Sequence, residues 1–270
     1  EVFIRYIMFD CYGGGQDNIG MSDILQMIFP LPPLSEQQQI VSFLDDKTQK
    51  IDSLIQQKEK KIELLKEKRT SLINHVVTKG LDSNVEMKDS GVEWIGEVPI
   101  SWKTSKLGFY TTKIGSGSTP RGGSEVYVDS GTPFIRSQNV HFDGLRLNNI
   151  SFIEYETHQS MKGSTVMRND VLLNITGGSI GRCCVVDIDE EMNVNQHVSI
   201  IRCKPEYDSK FVNYYLINLK SYLMQICGVG GTRNALTKEA IQKLEIRIPN
   251  SQKQIAKVLS DLDAKIEINN

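Results

Sequence analysis

One stripe of apolar residues constrains the fold of this chain more than any other feature. The motif Ser35-Glu36-Gln37-Gln38 is typical of a helix start, because its first and last side chains can cap backbone groups. With Lys47, Lys58 and Arg69 filling three positions, the apolar stripe then continues at steps of mostly four and three over roughly six heptads. Lys79 and Gly80 supply a cation and a glycine suited to a helix end. The pattern predicts one helix over residues 36–78, about 64 Å long at a rise of about 1.5 Å per residue.

A long helix with one apolar stripe requires a partner helix, because a domain of ordinary size cannot cover it. Residues 251–270 begin with the same pattern and supply that partner. The polypeptide between the two helices must lead back to the first one, so we expect an antiparallel coiled coil. The predicted seam of the first helix consists of Ile40, Leu44, Ile51, Ile55, Ile62, Leu65, Leu72 and Val76.

An internal repeat supports this arrangement. Tyr6 and Cys11 match Tyr222 and Cys227 at one constant offset, and the matches continue through the two helix starts. The period is far longer than that of a solenoid and indicates a domain duplication. We therefore expect the end of one copy, a long helix and then most of a second copy. The chain does not begin with Met, so we interpret its first residue as an internal position of a longer protein.

Between the helices the pattern changes to short alternating runs separated by Gly, Asn and Asp, which is typical of strands. The predicted strands cover residues 134–136, 151–153, 171–174, 182–186, 198–202 and 244–248. Helices are predicted at 209–226 and at 238–243, the second capped by Thr237. Residues 80–99 have little apolar content and are interpreted as a linker. Strands with a few interspersed helices favour an α+β fold with a mixed β-sheet.

The charge and cysteine content exclude several classes of protein. A formal net charge of −2 excludes a generally basic chain, so any nucleic-acid surface must come from local placement of Arg and Lys. The acidic run at 187–191 must then face away from a phosphate backbone. No apolar run is long enough to span a membrane. The five cysteines show no C-x-x-C pair and no zinc spacing, which predicts reduced thiols, no metal site and a cytoplasmic location.

Several arginines lie beside Gly, Ser, Thr and Asn residues in the predicted loops. Arginine can bridge O6 and N7 of guanine, Asn or Gln can bridge N6 and N7 of adenine, and hydroxyls reach phosphates. These loops are therefore candidate DNA contacts, and ordinary turns with solvated arginines are the alternative. The candidate residues are Ser118, Thr119, Arg121, Arg136, Gln138, Asn139, Thr176, Ser179, Arg182, Asn195, Gln196, His197, Thr232, Arg233 and Asn234.

Taken together, these stretches resemble the specificity subunit of type I restriction-modification systems over essentially the whole chain. The resemblance is carried by LPPLSEQQQI at 31–40, DSGVEWIGEVP at 89–99, GSGSTP at 115–120, the 174–181 loop, NQH at 195–197 and GTRN at 231–234. None of these motifs is decisive alone, but their order and spacing, together with the repeat, make the set specific.

The resemblance implies two target recognition domains that alternate with two long helices. Residues 1–34 would end the first recognition domain, 35–80 would form the first long helix, 81–98 a linker, 99–250 the second recognition domain and 251–270 the start of the second helix. Such a protein is sequence-specific and non-catalytic, and each of its recognition domains reads one half of a bipartite DNA site.

The resemblance also implies partners. These are double-stranded DNA, two methyltransferase subunits and restriction subunits, with no membrane partner. No cofactor is expected on this chain, because S-adenosylmethionine, ATP and magnesium belong to the partner subunits. The target bases, the gap length and self-association of a split subunit through its long helices stay open at this point.

Two other classes of function are less well supported. Asp82, Glu86 and Lys88 are the residue types of a nuclease site, but they lie in the predicted linker, without a strand to hold two carboxylates on a metal. No Walker loop, dinucleotide-binding motif or methyltransferase Asn-Pro-Pro motif is present in the sequence. The second alternative is a coiled-coil adaptor that assembles proteins and reads no DNA.

Overall fold

The computed structural model describes Met21, Leu25, Ile28 and residues 30–92, 95–228 and 235–267. The chain divides into two compact units, Glu1–Lys60 and Lys61–Asn270.

The described helices are α1 (Leu34–Lys79), α2 (Tyr155–Ser160), α3 (Ser209–Asn218), α4 (Lys220–Gly228), α5 (Lys238–Lys243) and α6 (Gln252–Glu267). The described strands are β1 (Met87–Asp89), β2 (Glu97–Pro99), β3 (Thr104–Lys106), β4 (Thr111–Ser116), β5 (Tyr127–Val128), β6 (Thr132–Ile135), β7 (Val140–His141), β8 (Gly144–Leu145), β9 (Ser151–Ile153), β10 (Thr165–Val166), β11 (Val171–Asn174), β12 (Cys183–Val185), β13 (Met192–Val194), β14 (Val198–Cys203) and β15 (Glu245–Arg247).

Helix α1 is continuous over 46 residues, which confirms the prediction of one long helix. It begins two residues before the predicted start, because the backbone amides of Glu36 and Gln37 both donate to the Pro33 carbonyl. Ser35 therefore lies inside the first turn rather than before it. At the other end Gly80 adopts a φ of 83°, and its amide donates to the Val76 carbonyl at 3.1 Å. This left-handed glycine ends the helix as predicted.

Two sheets form the body of the second unit. One has four strands in the order β12-β11-β14-β4, and the other has five in the order β10-β13-β6-β9-β5. All pairings in the four-stranded sheet are antiparallel, whereas β13 pairs with β6 in parallel. Both kinds of pairing occur with helices outside the strands, so the α+β fold with mixed sheet is confirmed.

Alternation along β11 shows how the layers are stacked. Val171 and Leu173 lie in a core cluster with residues of α1, α3, α4 and α6, whereas Leu172 lies in a second cluster with Ile135 and Val194 of the five-stranded sheet. Successive side chains of a strand point to opposite faces. The four-stranded sheet is therefore the middle layer, with helices on one face and the second sheet on the other.

Helix α6 packs antiparallel to the end of α1. Ile73, near the end of α1, shares a core cluster with Ile255 and Leu259 of α6. Arg69 precedes Ile73 on α1, and Asp263 follows Leu259 on α6. The Arg69 guanidinium donates to Asp263, with Nε···Oδ1 at 2.5 Å. Moving backward on one helix corresponds to moving forward on the other, which confirms the antiparallel pair.

The predicted seam is only partly tested by these contacts. Val76 is buried and Leu72 packs against the same helical core. Ile62 and Leu65 are half-buried. In the first unit the other four seam positions are exposed, at 45–56 % of their full area: Ile40, Leu44, Ile51 and Ile55. The seam stays a prediction at those four positions.

Two predicted segments differ from the structure. The helix expected over 209–226 is two helices, because Leu219 has a ψ of −3° and its amide bonds to both Tyr215 and Leu216. That tight turn keeps Leu219 and Leu223 in the core. The segment interpreted as a linker contains a two-stranded sheet, β1 with β2, in which Val98 is fully buried.

Candidate nucleic-acid interface

Three candidate loops meet at one end of the four-stranded sheet. Asn174, the last residue of β11, pairs with Val198, the first residue of β14. Ser116, the last residue of β4, pairs with Ser199 on β14. The loop after β4, the β11–β12 loop and the loop before β14 therefore lie side by side. We call this edge of the sheet the loop end.

The five-stranded sheet contributes a fourth loop to the loop end. Strands β13 and β6 are parallel, and the Asn195 amide donates to the Ile135 carbonyl at 3.0 Å just beyond both strands. The Asn174 side-chain amide donates to the Ser137 carbonyl at 2.8 Å. These bonds bring the Ser137–Asn139 turn next to the β11–β12 loop.

Four side chains form a hydrogen-bonded row across three of these loops. Thr119 follows β4, Gln196 and His197 precede β14, and Thr176 lies in the β11–β12 loop. The Thr119 hydroxyl donates to Gln196 Oε1. Gln196 Nε2 lies 3.0 Å from His197 Nε2, and His197 Nδ1 lies 2.8 Å from the Thr176 hydroxyl. We call this set the polar row.

The polar row matches one tautomer of a neutral His197. Gln196 Nε2 can only donate, and an imidazole with its proton on Nδ1 offers Nε2 as the acceptor. In that tautomer Nδ1 donates to the Thr176 hydroxyl, whose own hydrogen is available to an outside acceptor. The other members of the row, Thr119, Gln196 and Thr176, are neutral side chains.

Gly117 allows the loops to approach so closely. A Cβ at this position would lie 1.8 Å from the Val194 carbonyl oxygen, which no side chain can tolerate. Its amide donates to the Val198 carbonyl at 3.0 Å and ties the loop after β4 to β14. The glycine is required by close contact and not by its φ.

Most predicted contact residues reach the surface of these loops. Ser118, Thr119, Arg121, Gln138 and Gln196 are exposed, and Arg136, Thr176, Ser179, Arg182 and His197 are half-buried. The Arg136 guanidinium lies over the Tyr127 ring, 5.6 Å from its centroid, which restricts its direction. Sequence reasoning did not select Tyr127, because a tyrosine in a strand carries no signal of the arginine that it supports.

Two predicted contact residues have structural roles. Asn139 is only 2 % exposed, and its side chain accepts from the Arg136 amide and donates to the Arg146 carbonyl. Asn195 is buried and its Oδ1 accepts from the His197 amide at 3.1 Å. Both asparagines are buried and hold the shape of their loops, and their role as DNA contacts stays a prediction.

Three further predicted residues, Thr232, Arg233 and Asn234, lie outside the described residues. The next residues along the chain are placed beside the β11–β12 loop, since Ala235 forms a bridge with Thr176 and the Leu236 amide donates to the Ile175 carbonyl.

The rest of the described chain offers little for metal or membrane chemistry. Among residues 30–92, 95–228 and 235–267, no group of three or more His, Cys, Asp and Glu side chains could hold a metal ion. No helix in the described part is long and apolar enough to cross a bilayer. The acidic run at 187–191 follows β12, whose last residue pairs with the first residue of β11, so it leaves the sheet at the end opposite the loop end.

A neutral hydrogen-bonding surface, built from loops on a layered α+β body beside paired helices, is suited to reading a polymer with exposed base edges. Comparison with known proteins gives the family. Residues 2–64 and 99–270 match the type I restriction modification DNA specificity domain. The chain belongs to this family of non-catalytic specificity subunits.

Individual relatives agree with the family match. The chain is 29 % identical over 260 residues to the putative type I restriction enzyme MjaX specificity subunit of Methanocaldococcus jannaschii, covering 94 % of this chain and 56 % of the relative. It is 26 % identical over 241 residues to the EcoBI specificity subunit of Escherichia coli, covering 84 % and 49 %. The chain thus spans about half the length of these relatives.

Solved structures share the fold. A chain from a structure that describes complex assembly and conformational transition of the type I R-M system superposes with a TM-score of 0.69 at 18 % identity, over 99 % of this chain and 61 % of that one. The HsdS subunit from Thermoanaerobacter tengcongensis gives a TM-score of 0.59 at 17 % identity, over 98 % and 61 %.

Proposed function

We propose that this chain reads one half of a bipartite DNA site through its loop end and contributes one strut of the spacer that sets the gap to the other half. The observation that carries the proposal is the polar row, which joins three loops into one neutral hydrogen-bonding surface. Family membership supports the substrate class, because the matched domain is a DNA specificity domain.

The chemistry of the loop end fits base edges better than phosphates. Side chains that read bases supply neutral donors and acceptors together with a few arginines, whereas phosphate contacts depend on positive charge. The polar row supplies the neutral donors and acceptors. The few arginines are Arg121, Arg136 and Arg182. Most of the phosphate neutralisation would then come from partner subunits, in keeping with a net charge of −2.

Helix α1 supports the spacer role. Two reading modules joined by a stiff connector bind a split site with a raised effective concentration, provided that the connector matches the gap. A continuous helix of 46 residues meets that requirement better than a flexible linker. In this proposal two methyltransferase subunits, and a restriction subunit, dock on the complex in the cytoplasm and bring S-adenosylmethionine, ATP and magnesium.

Methylome sequencing tests the reading role directly. A host that expresses this chain with its methyltransferase partner should carry one methylated motif with a fixed gap. Arg136→Ala should relax one base position of that motif by about 1–3 kcal/mol of discrimination, and Arg233→Ala tests the loop outside the described residues in the same way. Lys162→Gln, an exposed charge that belongs to none of the four loops, is the control.

The outcomes of this experiment separate three interpretations. Loss at one base position supports base reading by the substituted arginine. A uniform loss over all sequences would assign that arginine to a phosphate. A methylome without any enriched motif, together with no enrichment from random duplexes, would favour the coiled-coil adaptor over a DNA reader.

The spacer is tested by insertion. Four residues added near Lys58 lengthen the helix by about 6 Å and rotate its remaining turns by about 40°, whereas seven residues preserve the heptad phase. We expect each insertion to change the preferred gap between half-sites in the methylome. An unchanged gap in both variants would contradict the spacer role while leaving base reading intact.

A further inference from the structure

A cavity of about 390 Å³ lies at the end of the four-stranded sheet opposite the loop end. It is bounded by the residues before β11, by the end of β14, by the first turn of α3 and by the first turn of α6. Its lining is unusually rich in cations. They are Arg168, Arg202, Lys204, Lys210 and Lys253. We call this site the basic cavity.

Only part of this charge is neutralised within the described structure. Arg202 forms a bidentate pair with Asp170, both bonds measuring 2.8 Å. Arg168 lies 4.0 Å from the exposed Asp189, and Asp208 lines the cavity while capping α3. The remaining three cations, Lys204, Lys210 and Lys253, form no ion pair with any residue of the described ranges.

A neighbouring lysine lies beside Arg202. Lys113 on β4 pairs directly across the sheet with Arg202. Burial lowers the pKa of Lys113, the positive charge of Arg202 lowers it further, and the Asp170 carboxylate acts to raise it.

Backbone donors add to the side-chain charge. Ser209 and Lys210, the first two residues of the ten-residue helix α3, both line the cavity. The Asp208 carboxylate caps the Phe211 amide at 3.0 Å, which leaves the amides of the first two residues without a helical partner. Amides at a helix start, combined with several ammonium groups, suit a doubly charged tetrahedral anion.

We propose that the basic cavity binds the phosphate group of a free nucleotide. The acidic run at 187–191 leaves the sheet at this same end and disfavours a nucleic-acid backbone here. The site is separate from the base-reading surface. Strand β14 begins at Val198 at the loop end and ends at Cys203 at the cavity, a path of about 17 Å for a strand of this length. Phosphate binding here therefore does not depend on the proposed base reading and goes beyond it.

Calorimetric titration of the full chain with pyrophosphate tests the site. We expect measurable binding that weakens as salt rises, because the attraction is ionic. Lys210→Gln with Lys253→Gln should weaken it at least tenfold. Lys162→Gln with Lys238→Gln removes the same charge from exposed positions outside the cavity and should change it less than twofold.

Competition identifies the source of the phosphate. Displacement of pyrophosphate by magnesium-free ATP supports the proposal, whereas displacement by a 20-base-pair duplex but not by ATP would overturn it. Equal weakening in the two double variants, or no binding of pyrophosphate, ATP or duplex to the wild-type cavity, would overturn the proposal. Neither result bears on base reading, which is judged by the motif in the methylome.

Discussion

The two ends of the four-stranded sheet have opposite electrostatic characters although the same strands lead to both. At the loop end the polar row joins neutral side chains that are exposed or half-buried. At the other end a fully buried carboxylate, Asp170, pairs with Arg202, one of five cations that line the basic cavity. The middle residues of β11, β12 and β14 are apolar, so the difference resides in the residues at and beyond the strand ends. One small sheet can thus offer hydrogen bonding at one edge and charge at the other.

The largest expected effect lies at the charged end. Asp170→Asn leaves Arg202 without its anion and weakens the bond that the Met167 amide donates to the Asp170 carboxylate at 2.8 Å. Asp170 is fully buried and Arg202 is half-buried, so removing this carboxylate costs about 3 kcal/mol of unfolding free energy, the low end of the range for buried pairs. The expected loss should appear in urea unfolding. The control, Asp143→Asn, breaks an exposed pair with Arg146 and should cost less than about 1 kcal/mol of unfolding free energy. Equal losses of unfolding free energy in the two variants would contradict the difference between the buried and the exposed carboxylate.

The next effect lies at the loop end. Gly117→Ala forces a methyl group against the Val194 carbonyl, so the loop after β4 must shift at a cost of about 1–3 kcal/mol. Gly115→Ala, two residues earlier on the same segment, meets nothing within 4 Å and is the matched control. Unfolding measurements on both variants decide the point. A stable Gly117→Ala variant that still reads DNA would show that the close approach is dispensable.

The polar row should contribute less to stability than to recognition. Gln196→Ala removes two side-chain hydrogen bonds from a mostly exposed site, so we expect a loss of about 1 kcal/mol or less in unfolding free energy. A double-mutant cycle with Thr119→Ala should give a coupling of about 0.5 kcal/mol. The methylome should lose base preference in both single variants. A retained motif would show that the row is structural only.

The smallest expected effect concerns the lysines of the basic cavity. Lys210 and Lys253 are exposed, so replacing both with Gln should leave the unfolding free energy within about 0.5 kcal/mol of wild type. A rise in stability would indicate repulsion among the cations, which a bound anion relieves. A loss above about 1 kcal/mol would indicate an undetected packing role and would separate these lysines from a purely ligand-binding function.

Among the described strands, periodicity predicted β6, β9, β11, β12, β14 and β15 and missed the others, including β4 and β13. The strands at Val171–Asn174 and Ser151–Ile153 have the predicted bounds, and Thr237 caps α5 by accepting from the Ala240 amide. Each of these features depends on a few consecutive residues. The burial of Asn139 depends on a partner, Arg146, across a turn, and sequence spacing carries no trace of it.

The basic cavity could not be predicted from the sequence either. Its cations come from four separate stretches of chain that only the sheet register and the packing of α3 and α6 bring together. The candidate loops were easier, because glycine-rich loops are recognisable locally. Their convergence at one end still required the parallel pairing of β13 with β6, which no short motif encodes.

The ion pair between Arg69 and Asp263 has a mechanical consequence. Burial acts to lower the pKa of Arg69, but its bond with Asp263 outweighs burial and raises that pKa, and the Tyr214 hydroxyl also donates to Asp263 at 2.9 Å. Turning α6 about its axis, or sliding it by one residue, would strand a charge in an apolar interface. Arg69, Asp263 and Tyr214 therefore fix both the rotation and the register of α6 against the end of α1.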